Sequence, residues 1–150
     1  MVHIIVGDLL KSDCTVIGHQ CNCFDVMGAG VAKQNKHLYP EAFDADRNFK
    51  VSFGEERLGK ISYAQTKKRI IFNLYGQYKF GRKGDHTVIP MFEAALVNMM
   101  KELDGRFQDF DAKIGLPYKI GAGLAGGEWD DLFPIINRVS LRYKRDIFFV

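Results

Sequence analysis

The sequence predicts a three-layer α/β/α domain built on a mixed six-stranded sheet. Short β-branched runs alternate along the chain with amphipathic segments of helical length. Two glycine-rich stretches each fall between a strand and a helix, the usual position of a tight βα connection. With 150 residues, 47 % apolar and 26 % charged, the chain has the size and composition of one globular domain.

The elements follow in order. His3 to Val6 is a β-branched run ended by Gly7-Asp8, and Thr15 to Gln20 is a second strand that leads into Gly28-Ala29-Gly30. Val31 to Tyr39 reads as a helix stopped before Pro40, and Pro40 suits the first turn of another helix through Phe49. Ile61 to Gln65 and Arg69 to Tyr75 flank Thr66-Lys67-Lys68 as a hairpin. Pro90 opens a helix whose apolar face carries Phe92, Ala95, Leu96, Met99 and Leu103. Lys113 to Pro117 is a strand before the second glycine-rich stretch, Gly121 to Gly127. The last helix shows an i, i+3, i+4, i+7, i+11 stripe at Leu132, Ile135, Ile136, Val139 and Tyr143. Asp130 or Asp131 is expected to cap it, which puts Pro134 in the first turn. Ile147 to Val150 closes the sheet. With no repeat or linker, residues 1–150 form a single domain.

Composition narrows the function. No apolar run approaches the ~20 residues of a membrane helix, so a membrane protein is not expected. The N-terminus begins in a strand pattern without the basic and apolar regions of a secretory leader, and the expected compartment is the cytoplasm. The net charge of +3 gives no ground for a nucleic-acid partner, and a monomer is expected. The basic groups Lys67-Lys68-Arg69 and Arg142/Lys144/Arg145 read as a solvated turn and the last turn of a helix. Cys14, Cys21 and Cys23 offer neither a disulfide framework nor zinc spacing; Cys21 and Cys23, two apart on a strand, share a face and read as core. Neither a metal nor a cofactor is expected.

Ligands of open α/β sheets collect at the carboxyl ends of strands, where both glycine-rich stretches fall. Glycine lets backbone N–H groups approach an anion closely, and the next helix adds its positive end. Two facing loops would cradle a diphosphate. Neither stretch continues as Gly-Lys-[Ser/Thr] or as Gly-x-Gly-x-x-Gly opening a helix, which excludes the P-loop and dinucleotide-binding readings.

Four segments in order, Val6-Gly7-Asp8-Leu9-Leu10, Ile17 to Cys23, Met27 to Ala32, and Leu116-Pro117 leading to Ile120-Gly121-Ala122-Gly123-Leu124, resemble a macrodomain over essentially the whole chain. Within the macrodomains the chain is most similar to the branch of the ADP-ribose 1''-phosphate phosphatases and the terminal ADP-ribose glycohydrolases, with His19 to Cys23 like the phosphatase. The resemblance implies that ADP-ribose or a derivative is the ligand. It implies that Asp8, between Gly7 and Leu9, accepts from the adenine amino group, and that Asn22 binds the distal ribose. It assigns Gly28, Ala29, Gly30, Val31 and Ala32, with Gly121, Ala122, Gly123, Leu124 and Ala125, to the diphosphate and distal ribose. An aromatic wall for adenine would come from Phe148 or Phe149, of which strand alternation lets one face the ligand; Phe149 is the expected one.

His19, beside Asn22, is the expected catalytic residue. It would donate a proton to the leaving oxygen, activate water or attack phosphorus. His3, His37 and His86 read as surface or edge residues. The glycohydrolase branch uses a lysine after the hairpin and an aspartate in the second glycine loop; the matching positions here are Gly76 and Ala125. Asp25, Gln77, Glu128 and Asp130 remain as polar partners. The expected activity is metal-independent hydrolysis of ADP-ribose 1''-phosphate. The alternatives are hydrolysis of ADP-ribosyl esters or O-acetyl-ADP-ribose, and ADP-ribose binding without catalysis.

Overall fold

In a computed structural model, residues 1–27, 30–80, 86–123 and 125–150 are described, with the backbone alone for Gly30 and Val31. The strands are β1 (Val2–Ile4), β2 (Val16–Gln20), β3 (Ile61–Gln65), β4 (Ile70–Leu74), β5 (Ile114–Leu116) and β6 (Ile147–Phe149). The helices are α1 (Gly30–Leu38), α2 (Pro40–Arg47), α3 (Ile89–Asp104) and α4 (Trp129–Tyr143). The strands form one sheet in the order β1-β6-β5-β2-β4-β3, with β3 antiparallel to β4 and every other pairing parallel. The expected mixed α/β/α sandwich is what the chain forms.

Alternation along β2 sorts the two faces. Val16 joins Phe92, Leu96, Met99, Leu132 and Ile136 of α3 and α4 in the main core, while Ile17 packs with Leu9 and Leu10 on the other side. β4 does the same: Phe72 and Leu74 face α3, and Asn73 and Tyr75 face α2. The expected α3 stripe is buried in full, each large side chain contributing roughly 1.5–3 kcal/mol. Tyr39 is the hinge residue between α1 and α2, forced out of helical geometry because Pro40 follows it.

The amino end of the sheet is tied off by Arg69. Its guanidinium donates to the carbonyls of Cys14 (2.9 Å), Leu10 (2.7 Å) and Ser12 and to the Tyr39 hydroxyl (3.0 Å). The basic turn is therefore a structural clamp at Arg69, with Lys67 and Lys68 left in solvent.

Two local expectations need correction. The N-cap of α4 is Glu128, whose carbonyl takes the first helical N–H groups of Asp131 and Leu132, so the helix starts before Asp130 and Asp131, which lie in its first turn. Pro134 consequently sits inside the helix. Its ring faces solvent, where water can satisfy the carbonyl one turn back. β2 also ends at Gln20, so Cys21 and Cys23 lie beyond the strand, although both are buried in one cluster with Met27 and Tyr75.

Candidate functional site

The connection leaving β2 enters α1 on one face of the sheet, and the connection leaving its neighbour β5 enters α4 on the opposite face. The chain paths diverge there and leave a crevice at the carboxyl ends of β2 and β5. The described residues Gly121 to Gly123 flank it.

Residues 76–78 and 86–88 bridge the crevice. Tyr78 N–H donates to the His86 carbonyl and Val88 N–H to that of Gly76, while His86 and Thr87 N–H both donate to the Ala125 carbonyl. Side chains reinforce this lacing. Gln20, the last residue of β2, donates through Nε2 to Gln77 Oε1 (3.2 Å) and Thr87 Oγ1 (3.0 Å). The Thr87 hydroxyl donates in turn to the Gly121 carbonyl at 2.7 Å. Gln20 Oε1 is buried without a partner among the described residues, wedged 2.8 Å from where a Cβ on Gly76 would lie.

A second polar system lies beneath, between the sheet and α2. His19 and Asn73 are register partners on β2 and β4, and His19 Nε2 meets Asn73 Oδ1 at 2.6 Å. An amide oxygen only accepts, so the imidazole proton sits on Nε2. Asn73 Nδ2 donates to the Ala42 carbonyl and to Ser62 Oγ, each at 2.9 Å. Ser62 and Tyr75 hydroxyls meet at 2.8 Å, and Tyr75 donates to Asp46 Oδ1 at 2.7 Å. Arg57, 2 % exposed, closes the system: it lies 3.4 Å from the same Asp46 oxygen and donates to the carbonyls of Val51 and Phe49.

Burial sets the ionisation of this system. Desolvation holds the His19 pKa down to about 4 against the hydrogen bond to Asn73, so the ring is neutral at pH 7. Desolvation pushes Asp46 up to about 6, partly opposed by the Tyr75 hydrogen bond and the Arg57 charge. Burial also raises both thiols, Cys23 to about 11 and Cys21 well above the usual range, so neither is a nucleophile at neutral pH.

No family model matches the chain. It is 36 % identical over 154 residues to an uncharacterized 17.5 kDa protein of the tk-vs intergenic region of Enterobacteria phage T4, covering 96 % of this chain and 93 % of that protein. It is 28 % identical over 130 residues to the DNA ADP-ribosyl glycohydrolases of Mycobacterium bovis and Mycobacterium tuberculosis, covering 84 % of this chain but 35 % of their length. Among solved structures, the macrodomain of Mycobacterium tuberculosis DarG superimposes with a TM-score of 0.78 at 21 % identity, over 99 % of this chain and 97 % of that one. Thermosipho africanus DarTG in complex with ADP-ribose also gives 0.78, at 17 % identity, over 99 % of this chain and 41 % of that one. The chain belongs to the family of the phage T4 protein and has the macrodomain fold.

Within this macrodomain the sequence-derived site residues fall into distinct settings. Asp8 is exposed and accepts from Leu10 N–H at 3.0 Å, capping the short turn Leu9–Lys11; Gly7 before it is exposed and Leu9 after it is buried. Asn22, 5 % exposed, organises its own loop, donating to the Val26 carbonyl (2.7 Å) and accepting from Phe24 N–H (2.9 Å). Each end of its amide keeps one further hydrogen-bonding position. Gly121, Ala122, Gly123 and Ala125 lie at the crevice, and a Cβ on Gly123 would enter open space. Gly30, Val31 and Ala32 begin α1. Gly28, Ala29 and Leu124 lie outside the described residues, as do the side chains of Gly30 and Val31.

His19 is placed away from these groups. It is 1 % exposed and aimed toward α2, because strand alternation gives that face to residues 17 and 19 and the crevice side to Gln20. Phe149 is the core member of its pair, fully buried 5.2 Å from the Trp129 ring, while Phe148 is half-buried against His3. Gly76 and Ala125 also have structural reasons for their small size. A Cβ on Gly76 would lie 2.9 Å from the α3 backbone at Phe92, and Ala125 is buried with its carbonyl receiving two N–H groups. Gln20 and Thr87 were not legible as site residues; Gln77 was, as a polar partner.

Two outcomes test this geometry. Gly76→Ala should lose roughly 1–3 kcal/mol in denaturant unfolding by overpacking against α3, while Gly123→Ala should stay within about 0.5 kcal/mol of wild type. The second concerns pH. A depressed His19 pKa makes stability fall as pH drops from 6.5 toward 4, whereas a raised Asp46 pKa makes stability fall as pH rises from 3.8 through 6. The two slopes oppose one another, each about 3 kcal/mol over its window. His19→Gln removes one, so the unfolding free energy of that variant should increase by about 2 kcal/mol from pH 6.5 to pH 4.5 relative to wild type. Parallel wild-type and variant profiles would show that His19 does not titrate in this buried setting.

Proposed function

We propose that this macrodomain binds ADP-ribose in the crevice at the carboxyl ends of β2 and β5 and hydrolyses a linkage at its distal ribose. The observation that carries the reading is the divergence of the β2 and β5 connections to opposite faces, with Gly121 to Gly123 at the end of β5. The naming of ADP-ribose in the Thermosipho complex and of ADP-ribosyl glycohydrolysis in the mycobacterial relatives supports it. Asp8 takes the adenine amino group, the backbone of the loops at Gly28 to Ala32 and Gly121 to Ala125 takes the diphosphate, and Asn22 takes the distal ribose hydroxyls.

Glycosidic hydrolysis fits the chain's own residues better than phosphate-ester hydrolysis by His19. The imidazole is enclosed, neutral, and holds its proton in the bond to Asn73, so it has no proton to exchange with a leaving oxygen in the crevice. The small residues at 76 and 125 leave no lysine or aspartate there. Among the described residues at the crevice, Asn22, Gln77 and Thr87 offer amides and a hydroxyl, which orient water and ribose hydroxyls without titrating. The substrate's own diphosphate supplies an anion to the site.

Calorimetry should detect ADP-ribose binding, lowered by roughly 1–3 kcal/mol in Asp8→Ala and abolished in Gly123→Glu with the fold retained. Wild type should release ADP-ribose from an ADP-ribosylated oligonucleotide or peptide faster than phosphate from ADP-ribose 1''-phosphate. His19→Gln should leave that rate within a few-fold, and borohydride should trap no lysine adduct. Preferential phosphate release that collapses in His19→Gln would restore the phosphatase mechanism and remove this one.

A further inference from the structure

At the edge of the crevice the chain gathers aromatic rings it does not bury. Phe24 lies 5.3 Å from Tyr78, edge to face, 6.4 Å from Phe80 and 6.5 Å from Phe53. Phe53 is 56 % exposed and Phe80 50 %, with Phe24 and Tyr78 half-buried between them. Hydrogen bonds fix the three segments that carry these rings. Cys23 N–H donates to the Tyr78 carbonyl, Gly54 N–H donates to that of Cys23, each at 3.1 Å, and the Cys23 thiol donates to that of Gln77. The cluster is thus a rigid surface, and an exposed group of large apolar rings is informative where a single exposed ring is not.

Its position and its charge indicate what it holds. Phe24 stands two residues after Asn22, and Tyr78 directly follows Gln77, so the rings continue the side of the crevice assigned to the distal ribose. Lys79 stands between Tyr78 and Phe80, exposed and in no ion pair among the described residues. Four rings are too small a surface for a stable protein partner, and they form no sheet edge that could accept a strand. Aromatic faces interleaved with a cation match the chemistry of unpaired nucleobases on a phosphate backbone.

We propose that Phe24, Phe53, Tyr78 and Phe80, with Lys79, form a stacking platform for unpaired bases of a nucleic-acid strand, which holds the acceptor from which ADP-ribose is released. The second half rests on the function proposed above; the platform itself does not. A net charge of +3 is silent about such a site, because base stacking contributes affinity without a large basic field.

Fluorescence anisotropy of a labelled, unmodified single-stranded oligonucleotide of about 12 nucleotides, titrated with the full chain, tests the platform. Calorimetry with ADP-ribose runs in parallel. Single strand should bind, and the same sequence as a duplex should bind more weakly. The doubly substituted Phe53→Ala/Phe80→Ala chain should lose ~10-fold or more of single-strand affinity with ADP-ribose affinity unchanged, and Lys79→Ala should lessen the salt dependence. The proposal is overturned if wild type does not bind the single strand, if the double variant binds it as wild type does, or if an unmodified peptide competes better through the same two phenylalanines. Oligonucleotide binding without ADP-ribose binding would uphold the platform and sink the proposed function instead.

Discussion

Hydrogen bonds pass in one direction from His19 through Asn73, Ser62 and Tyr75 to the Asp46 carboxylate, and much of the molecule rests on that sequence. Each donor is fixed by the next acceptor. Asn73 Oδ1 forces the proton onto His19 Nε2, and the Asp46 carboxylate takes the Tyr75 proton, which leaves Ser62 to donate to Tyr75. The register pairs His19 with Asn73 and Asn73 with Ser62, so the path crosses β2, β4 and β3 before reaching α2. Arg57 then neutralises the carboxylate and gathers the carbonyls of the segment after α2. A buried ion pair of this kind is weak evidence for stability, because desolvation offsets its attraction, but removing one partner strands the other. A slipped β4 would leave several buried polar groups unpaired at once.

This use of His19 governs what the crevice can do. The residue that sequence pattern puts forward as an acid is consumed in holding the sheet, one strand position short of the crevice. Gln20, at the next position, points the other way and reaches Gln77 and Thr87. Alternation along one strand therefore separates a buried polar system on the α2 side from the Gln20, Gln77 and Thr87 lacing at the carboxyl edge.

The three layers and the mixed six-stranded sheet were legible because they follow from periodicity and connection rules, whereas the strand order depends on pairings between distant segments. The α3 and α4 stripes, the hairpin around Thr66-Lys67-Lys68 and the Pro40 break each have a local physical cause that a window of a few residues contains. The start of α4 was misjudged because aspartate is the commoner cap, whereas here the backbone carbonyl of Glu128 does the work and the exposed Pro134 is tolerated inside the helix. Which of Phe148 and Phe149 faces inward depends on where α4 lies, and that is tertiary information. The Gln20, Gln77 and Thr87 contacts span 57 and 67 residues and involve no titratable group, so neither motif nor charge marks them. The cluster of aromatic rings was illegible for a similar reason: Phe24, Phe53 and Phe80 stand far apart in the chain, and no motif joins them.

The amides and the hydroxyl that the described residues bring to the carboxyl ends of β2 and β5 are not chemically inert. Cleavage at an anomeric carbon builds positive charge on the ribose as the leaving group departs; water bonds to that carbon and its proton ends on the leaving group, and fixed dipoles with a nearby anion stabilise the charge that develops between. In the proposed complex the diphosphate supplies the anion, and the glycine loops hold it where the charge develops. Orientation alone can remove ~7–11 kcal/mol from a barrier when the reacting atoms are held close and aligned. That makes rigidity the commodity the site requires, and the chain supplies it twice: through the Gln20–Thr87–Gly121 lacing at the crevice, and through the buried donor sequence that sets the register of β2 beneath it. A histidine locked into the second of these serves by fixing the strand that ends at Gln20 and leads into the Asn22 loop, with no need to titrate.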